Sequence, residues 1–146
     1  MNFLSEFQQK SFSWSISTFG SYVANDHKER SYRFIEESLE LVQANDISKE
    51  DVLKLVDYVF SREKGSVPEE IGDVLVTLSI LASSHGHNMS RCANTTLNKC
   101  ILNSDKIYQK HLSKPVNNGP IPGEYETPKT SFNKLAETIK EAAKQL

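Results

Sequence analysis

Two short acidic stretches hold the residue types best suited to chemistry. The first reads Glu36-Glu37-Ser38-Leu39-Glu40 and the second Glu69-Glu70-Ile71-Gly72-Asp73. On a helix, Glu37 and Glu40 stand at i, i+3 and Glu36 and Glu40 at i, i+4, so all three project from one side; Glu70 and Asp73 are paired in the same way. The first cluster has an ordinary explanation as a solvated face. The second is harder to explain so. Asp73 is the only charged residue between Ile71 and Ala82. At about 100° per residue, Ile71, Val74, Leu75 and Leu78 form one apolar stripe, while Val76 and Ile80 lie beyond Asp73 on its other side. A helix apolar nearly all round is normally buried. A carboxylate held there needs a basic partner, a shifted pKa or a metal. No Lys or Arg lies within one turn of Asp73 on its own helix. A divalent cation bridging Glu37, Glu40, Glu70 and Asp73 would relieve their mutual repulsion. All-oxygen ligation suits Mg2+, or Mn2+, and not zinc, and a carboxylate-held Mg2+ with open positions usually serves substrate phosphates.

The elements that must position these acids read as helices throughout, and the expected fold class is all-α. A first helix is expected over 3–19, with Phe12, Ile16 and Phe19 inward and Gly20 as its stop. A second covers about 28–44 and carries the first acidic cluster. Ser48 with Asp51 makes a capping-box start for a third, where Val52, Leu55, Val56 and Val59 share a face. Ser66 with Glu69, and Pro68 in the first turn, opens a fourth that carries Glu70 and Asp73 and ends near Ser84 before Gly86. A fifth is expected from near Asn88 or Ser90 to His111, with Met89, Ala93, Thr96, Leu97, Cys100 and Ile101 inward. Pro115, Pro120, Pro122 and Pro128 then exclude a helix interior and imply an extended strap. Phe132, Leu135, Ala136 and Ile139 mark a short amphipathic terminal helix. The expected organisation is a helical bundle domain over 1–114 and a C-terminal strap and helix over 115–146, laid on the core or on a neighbouring subunit. A core this small commonly completes itself by pairing subunits, so a homo-oligomer, dimer or tetramer, is expected.

Composition bounds the partners. The chain has 146 residues, 38% hydrophobic and 25% charged, with a formal net charge of −2. Such a balance offers no bulk basic field for a nucleic-acid polymer, so an anionic ligand must be small and held by local cations or metal. No apolar run has the length of a membrane span, and the N-terminus lacks the apolar core of a signal peptide. Cys92 and Cys100 would lie roughly 12 Å apart along one helix, too far for a disulfide. A reducing cytoplasm is the expected location.

The acidic motifs carry a family resemblance. Glu36-Glu37-Ser38-Leu39-Glu40, followed in the next-but-one helix by Glu70-Ile71-Gly72-Asp73, resembles the EExxE…ExxD signature of the MazG-like, all-α NTP pyrophosphohydrolases. The likeness extends through RFIEESLELVQA, LVDYVFSREKG and EEIGDVLVTLSILASSHGHNM, covers about 14–115, and is closest to the small phage-type MazG-like proteins. The gap between the two acid pairs is long for the family. The resemblance implies a four-helix-bundle core of the all-α NTP pyrophosphatase type. It implies Mg2+ on Glu37, Glu40, Glu70 and Asp73, with Glu36 an auxiliary ligand or the group that orients water. The implied activity is hydrolysis of a nucleoside triphosphate to the monophosphate and pyrophosphate, in nucleotide house-cleaning or control of a dNTP pool during phage growth.

Other residues allow both a functional and an ordinary reading. Lys99, Asn103, Lys106 and Lys110 form one stripe of the expected fifth helix, either a solvated face or a row of cations over the phosphates. Arg62 and Lys64, before the second acid cluster, could act likewise. Trp14, the only tryptophan, is a core residue or a base-stacking platform. His27 and Arg30 are candidate substrate contacts. His85-Gly86-His87 lacks the further ligands that zinc requires. A di-iron carboxylate bundle needs Glu-x-x-His pairs, and here they are Glu-x-x-Glu and Glu-x-x-Asp. The alternative to an enzyme is a non-catalytic nucleotide-binding or oligomeric adaptor bundle.

Overall fold

A computed structural model of the chain describes residues 2–114, so the proline strap and the helix expected around Phe132, Leu135, Ala136 and Ile139 lie outside the described residues. The described chain is all-helical: α1 Phe3–Phe19, α2 Ser21–Asn25, α3 His27–Ala44, α4 Lys49–Phe60, α5 Val67–Ser84, α6 Met89–Leu102 and α7 Ser104–Leu112. No strand occurs among the described residues.

Local chemistry sets these boundaries. The Asn2 side chain accepts from the Ser5 amide at 3.0 Å to open α1. Gly20 closes it at φ 86° and ψ 158°, a backbone region that is essentially glycine-only. The short α2 follows at once, an element the sequence did not announce. Asp26 caps α3 by accepting from the Lys28 and Glu29 amides at 2.9 and 3.1 Å. The Ser48–Asp51 capping box forms as expected, with the Asp51 amide donating to Ser48 Oγ at 3.1 Å. At α5 the reciprocal half is missing: Ser66 makes no side-chain bond to the backbone and meets only the Glu69 carboxylate, while Pro68 sits in the first turn.

The expected fifth helix is two. It breaks at Asn103 (φ −119°, ψ 23°), whose side-chain amide donates back to the Lys99 carbonyl at 2.8 Å. Asn commonly diverts its side chain to nearby backbone in this way. Lys99 therefore belongs to α6, and Lys106 and Lys110 to α7, instead of one unbroken stripe.

The described residues divide into two compact units. One comprises 2–33 with 90–114, the other Phe34–Met89. In the first, α1 packs on α2 and on α7. Its core contains Phe19, Val23, Ala24, Leu97 and Ile101. The inward face of α1 is turned about a quarter turn from the expected one. Ser15, Thr18 and Phe19 are buried, while Phe12 is exposed. Of the inward residues expected on the helix after Asn88, Leu97 and Ile101 are buried and Thr96 is exposed. The second unit holds α4, α5 and the acidic end of α3. It contains no buried residue at all. Within this unit, among the described residues, α3 and α4 do not provide the burial expected for α5 from its nearly all-round apolar surface.

Candidate functional site

The two acid pairs lie in the same unit, on α3 and α5. Helical geometry gives each pair its shared face. Glu37, Glu40, Glu70 and Asp73 are exposed and Glu36 is half-buried. Asp73 therefore stands in water and not in the dry polar gap that the pattern on α5 implied. The Thr77 hydroxyl donates to the Asp73 backbone carbonyl at 2.9 Å, leaving the carboxylate uninvolved in that bond. The Glu70 carboxylate folds back to where a Cβ on Gly65 would stand, so the glycine leaves room for it beside the first turn of α5. An acid there is favoured by the helix N-terminus.

Among the described residues, none of Glu37, Glu40, Glu70 and Asp73 is in an ion pair. The acids that do pair in this unit are Glu50 and Asp51, both to Lys54, at 2.9 and 3.3 Å. Also among the described residues, no three or more His, Cys, Asp or Glu side chains gather closely enough to hold a metal ion. The donor chemistry of the four carboxylates suits Mg2+. Lys64 lies exposed in the loop before α5, and the Arg62 guanidinium near it sits 5.0 Å from the Tyr58 ring.

The remaining candidates, Trp14, Arg30, Lys106 and Lys110, belong to the other unit. Trp14 is tied into that unit's packing. Its indole N–H donates to Ser104 Oγ at 3.0 Å and its ring meets Phe19 edge-on at 5.5 Å. Its core reading is the one the structure favours over base stacking. Arg30 is also engaged, 3.6 Å from Glu29 and with its guanidinium 5.2 Å from the Phe19 ring. Lys106 and Lys110 are exposed on α7, and His27 is exposed at the start of α3. His85 bonds Asn45 just after α3 and stacks on His87 at 6.2 Å.

Sequence reasoning missed the most deeply buried charge. Glu29 has no exposed surface. Arg33 Nε lies 3.1 Å from its carboxylate, Arg30 Nη2 3.6 Å and His111 Nδ1 3.5 Å. His111 is itself buried, and desolvation lowers its pKa below the ordinary value, against the opposing pull of the Glu29 carboxylate. The i, i+4 spacing of Glu29 and Arg33 was a visible signal, but exposed helices carry the same spacing. Among the described residues, no helix is long and apolar enough to cross a membrane. The two cysteines are not joined by a disulfide. Compared with protein families, with curated proteins and with solved structures, the chain finds no match.

Proposed function

We propose that the chain is a Mg2+-dependent nucleoside triphosphate pyrophosphohydrolase of the MazG-like, all-α type. What supports this reading is one observation: Glu37, Glu40, Glu70 and Asp73 stand at i, i+3 on two helices of one unit, and among the described residues none is in an ion pair. Four carboxylates kept without basic partners are suited to a divalent cation. A metal bound there would polarise the phosphates and lower the pKa of a bound water. Glu36, one residue before Glu37, would orient water towards the α-phosphorus. Water adds to that phosphorus and the bond to the bridging oxygen breaks. Pyrophosphate leaves and a nucleoside monophosphate remains. Lys64, in the unit that carries the acids, would meet phosphate charge. In this reading the core is a four-helix bundle, and the chain works as an assembly of two or four copies in a reducing cytoplasm.

A second reading is a non-catalytic nucleotide-binding or adaptor bundle. A panel of nucleoside triphosphates incubated with Mg2+, with products resolved by chromatography, separates the two. The enzyme reading expects monophosphate and pyrophosphate, abolished by EDTA. Binding without turnover across the panel supports the adaptor. Stoichiometric orthophosphate from a preparation free of pyrophosphatase would refute cleavage at the α–β bond.

A further inference from the structure

A glycine serves a fold through its backbone or through the side chain it lacks. Four glycines lie among the described residues, and they divide on this point. Gly20 and Gly86 serve through backbone: both have positive φ, and a Cβ at either would meet nothing within 4 Å. Gly72, inside α5, would also meet nothing. Gly65 is the opposite case. Its φ lies outside the left-handed region, so its backbone does not call for glycine. Yet the place of its Cβ is taken, and the nearest atoms there are Oε1, Cδ and Cγ of Glu70.

Glu70 stands near the start of α5, where helical side chains lean toward the N-terminus. Its carboxylate follows that lean to the loop at Gly65. Asp73 lies one turn the other way, so the acid rests turned from the residue with which it shares a face. Little holds it there. Among the described residues the Glu70 carboxylate is in no hydrogen bond and no ion pair. What remains is the room at Gly65 and the field of the helix N-terminus, which favours an acid.

We propose that Gly65 is a positioning residue: it berths the Glu70 carboxylate away from Asp73 until a divalent cation draws it out. The inference rests on the reading of Glu70 as a metal ligand and adds a resting state to it. In that state a cation meets Asp73 without Glu70. The apparent Kd is then the intrinsic one divided by the fraction of time that Glu70 spends outside the berth. A methyl group at this position closes the berth. The atoms in its way are the end of a flexible, exposed side chain, so Glu70 can swing aside without disturbing the loop. Gly65→Ala should therefore improve a metal site that it does not touch, opposite in sign to ordinary damage beside a ligand.

The test uses the full chain with Mn2+ alone, which takes the same oxygen ligands as Mg2+ and whose free concentration is read by electron paramagnetic resonance. Gly65→Ala should bind Mn2+ roughly two- to fivefold more tightly than the wild type, the factor that an exposed acid's attraction to a helix N-terminus supports. Its melting temperature in EDTA should be no lower than that of the wild type. With Glu70→Ala already present, Gly65→Ala should leave the remaining affinity unchanged. Equal or weaker binding by Gly65→Ala overturns the berth while the metal reading stands. A gain of the same size in the Glu70→Ala background also overturns it, by assigning the effect to the loop. So does a Gly65→Ala protein that melts well below the wild type in EDTA, which would show that the loop itself needs the glycine. A wild type that binds no Mn2+ refutes the metal reading, and the berth falls with it.

Discussion

Replacing Glu29 by Leu should destabilise the protein by about 3 kcal/mol or more. The carboxylate has no exposed surface and lies 3.1 Å from Arg33 Nε, 3.5 Å from His111 Nδ1 and 3.6 Å from Arg30 Nη2. Removing it leaves two guanidinium groups without their shared anion. Breaking a buried pair from one side costs about 3–5 kcal/mol. The Arg30 and Arg33 side chains keep 28% and 19% of their surface, so water reaches them and the lower end of that range applies. Glu29→Gln keeps the shape but loses the charge and sets an NH2 donor where an acceptor stood; its cost should be smaller than that of the Leu variant, about 1–3 kcal/mol for a buried polar group left unsatisfied. For a chain of this size, 1 kcal/mol moves the melting temperature by about 2–4 °C, so the Leu variant should melt roughly 6–12 °C lower. Urea titrations followed by circular dichroism, at one protein concentration and in EDTA, give the free energies. Adding Arg33→Leu to Glu29→Leu should cost less than the sum of the two single changes, because the contact the two share is counted in both. A Gln variant within ~0.5 kcal/mol of wild type, or strict additivity in the double variant, would refute the idea that this cluster holds α3 and α7 in place.

Further outcomes are expected from three other positions. Asp73→Asn should change metal-free stability by no more than ~0.5 kcal/mol, since Asp73 is exposed and not ion-paired. Mg2+ at a hundredfold excess over Kd should stabilise the wild type by ~2.7 kcal/mol and the variant much less, and equal Mg2+ responses in paired thermal melts would remove Asp73 from the ligand set. Burial holds His111 below its ordinary pKa, so the unfolded chain takes up its proton first as pH falls. Stability should therefore be complete above the ordinary histidine pKa of about 6.5 and decline below it until the folded-state pKa is passed, with a slope of at most about 1.4 kcal/mol per pH unit. His111→Gln should flatten that segment of the curve, and an unchanged slope counts against the assignment. Gly20→Ala should cost about 1–3 kcal/mol although a Cβ there meets nothing within 4 Å, because φ 86° with ψ 158° strains any L side chain. A neutral result in a denaturant melt would mean that the α1–α2 junction adopts another backbone conformation.

What was legible in the sequence is what local chemistry controls. Gly20 as a stop, the Ser48–Asp51 box and Pro68 in the first turn each act over four residues or fewer, and the helix boundaries they implied are those observed. Asn103 was as local a signal but ambiguous, since Asn sits on a helix surface as readily as it diverts its amide to the backbone at a break. Faces were less legible than boundaries. Phe12, Ile16 and Phe19 are the most apolar line on α1, yet its buried side runs through Ser15, Thr18 and Phe19. Small residues permit close approach of a neighbour, and an apolar count cannot register that.

The acids show the same division at the site. Spacing alone puts Glu37 beside Glu40 and Glu70 beside Asp73, because i, i+3 neighbours share a helix face whatever surrounds them. Bringing the pairs together is a tertiary matter, governed by how α3 and α5 pack. Both acid pairs lie in the unit that lacks a core, where Phe34, Leu39, Val76 and Ile80 are all exposed. The driving force that would close α3 on α5 is burial of that same apolar surface. Gathering four like charges opposes it unless a cation is present. Covering the surface and binding the metal would then be coupled through one packing event. Mg2+ should tighten the association of copies, and association should in turn tighten the hold on Mg2+ by the same factor. Sedimentation equilibrium of the wild type with EDTA and with Mg2+ measures that factor directly. Asp73→Asn, which keeps every apolar side chain and removes one of the four charges, should associate at least as tightly as the metal-free wild type and respond to Mg2+ much less. Equal association of the wild type under both conditions would separate the two events and place the acid pairs together, or apart, independently of the interface.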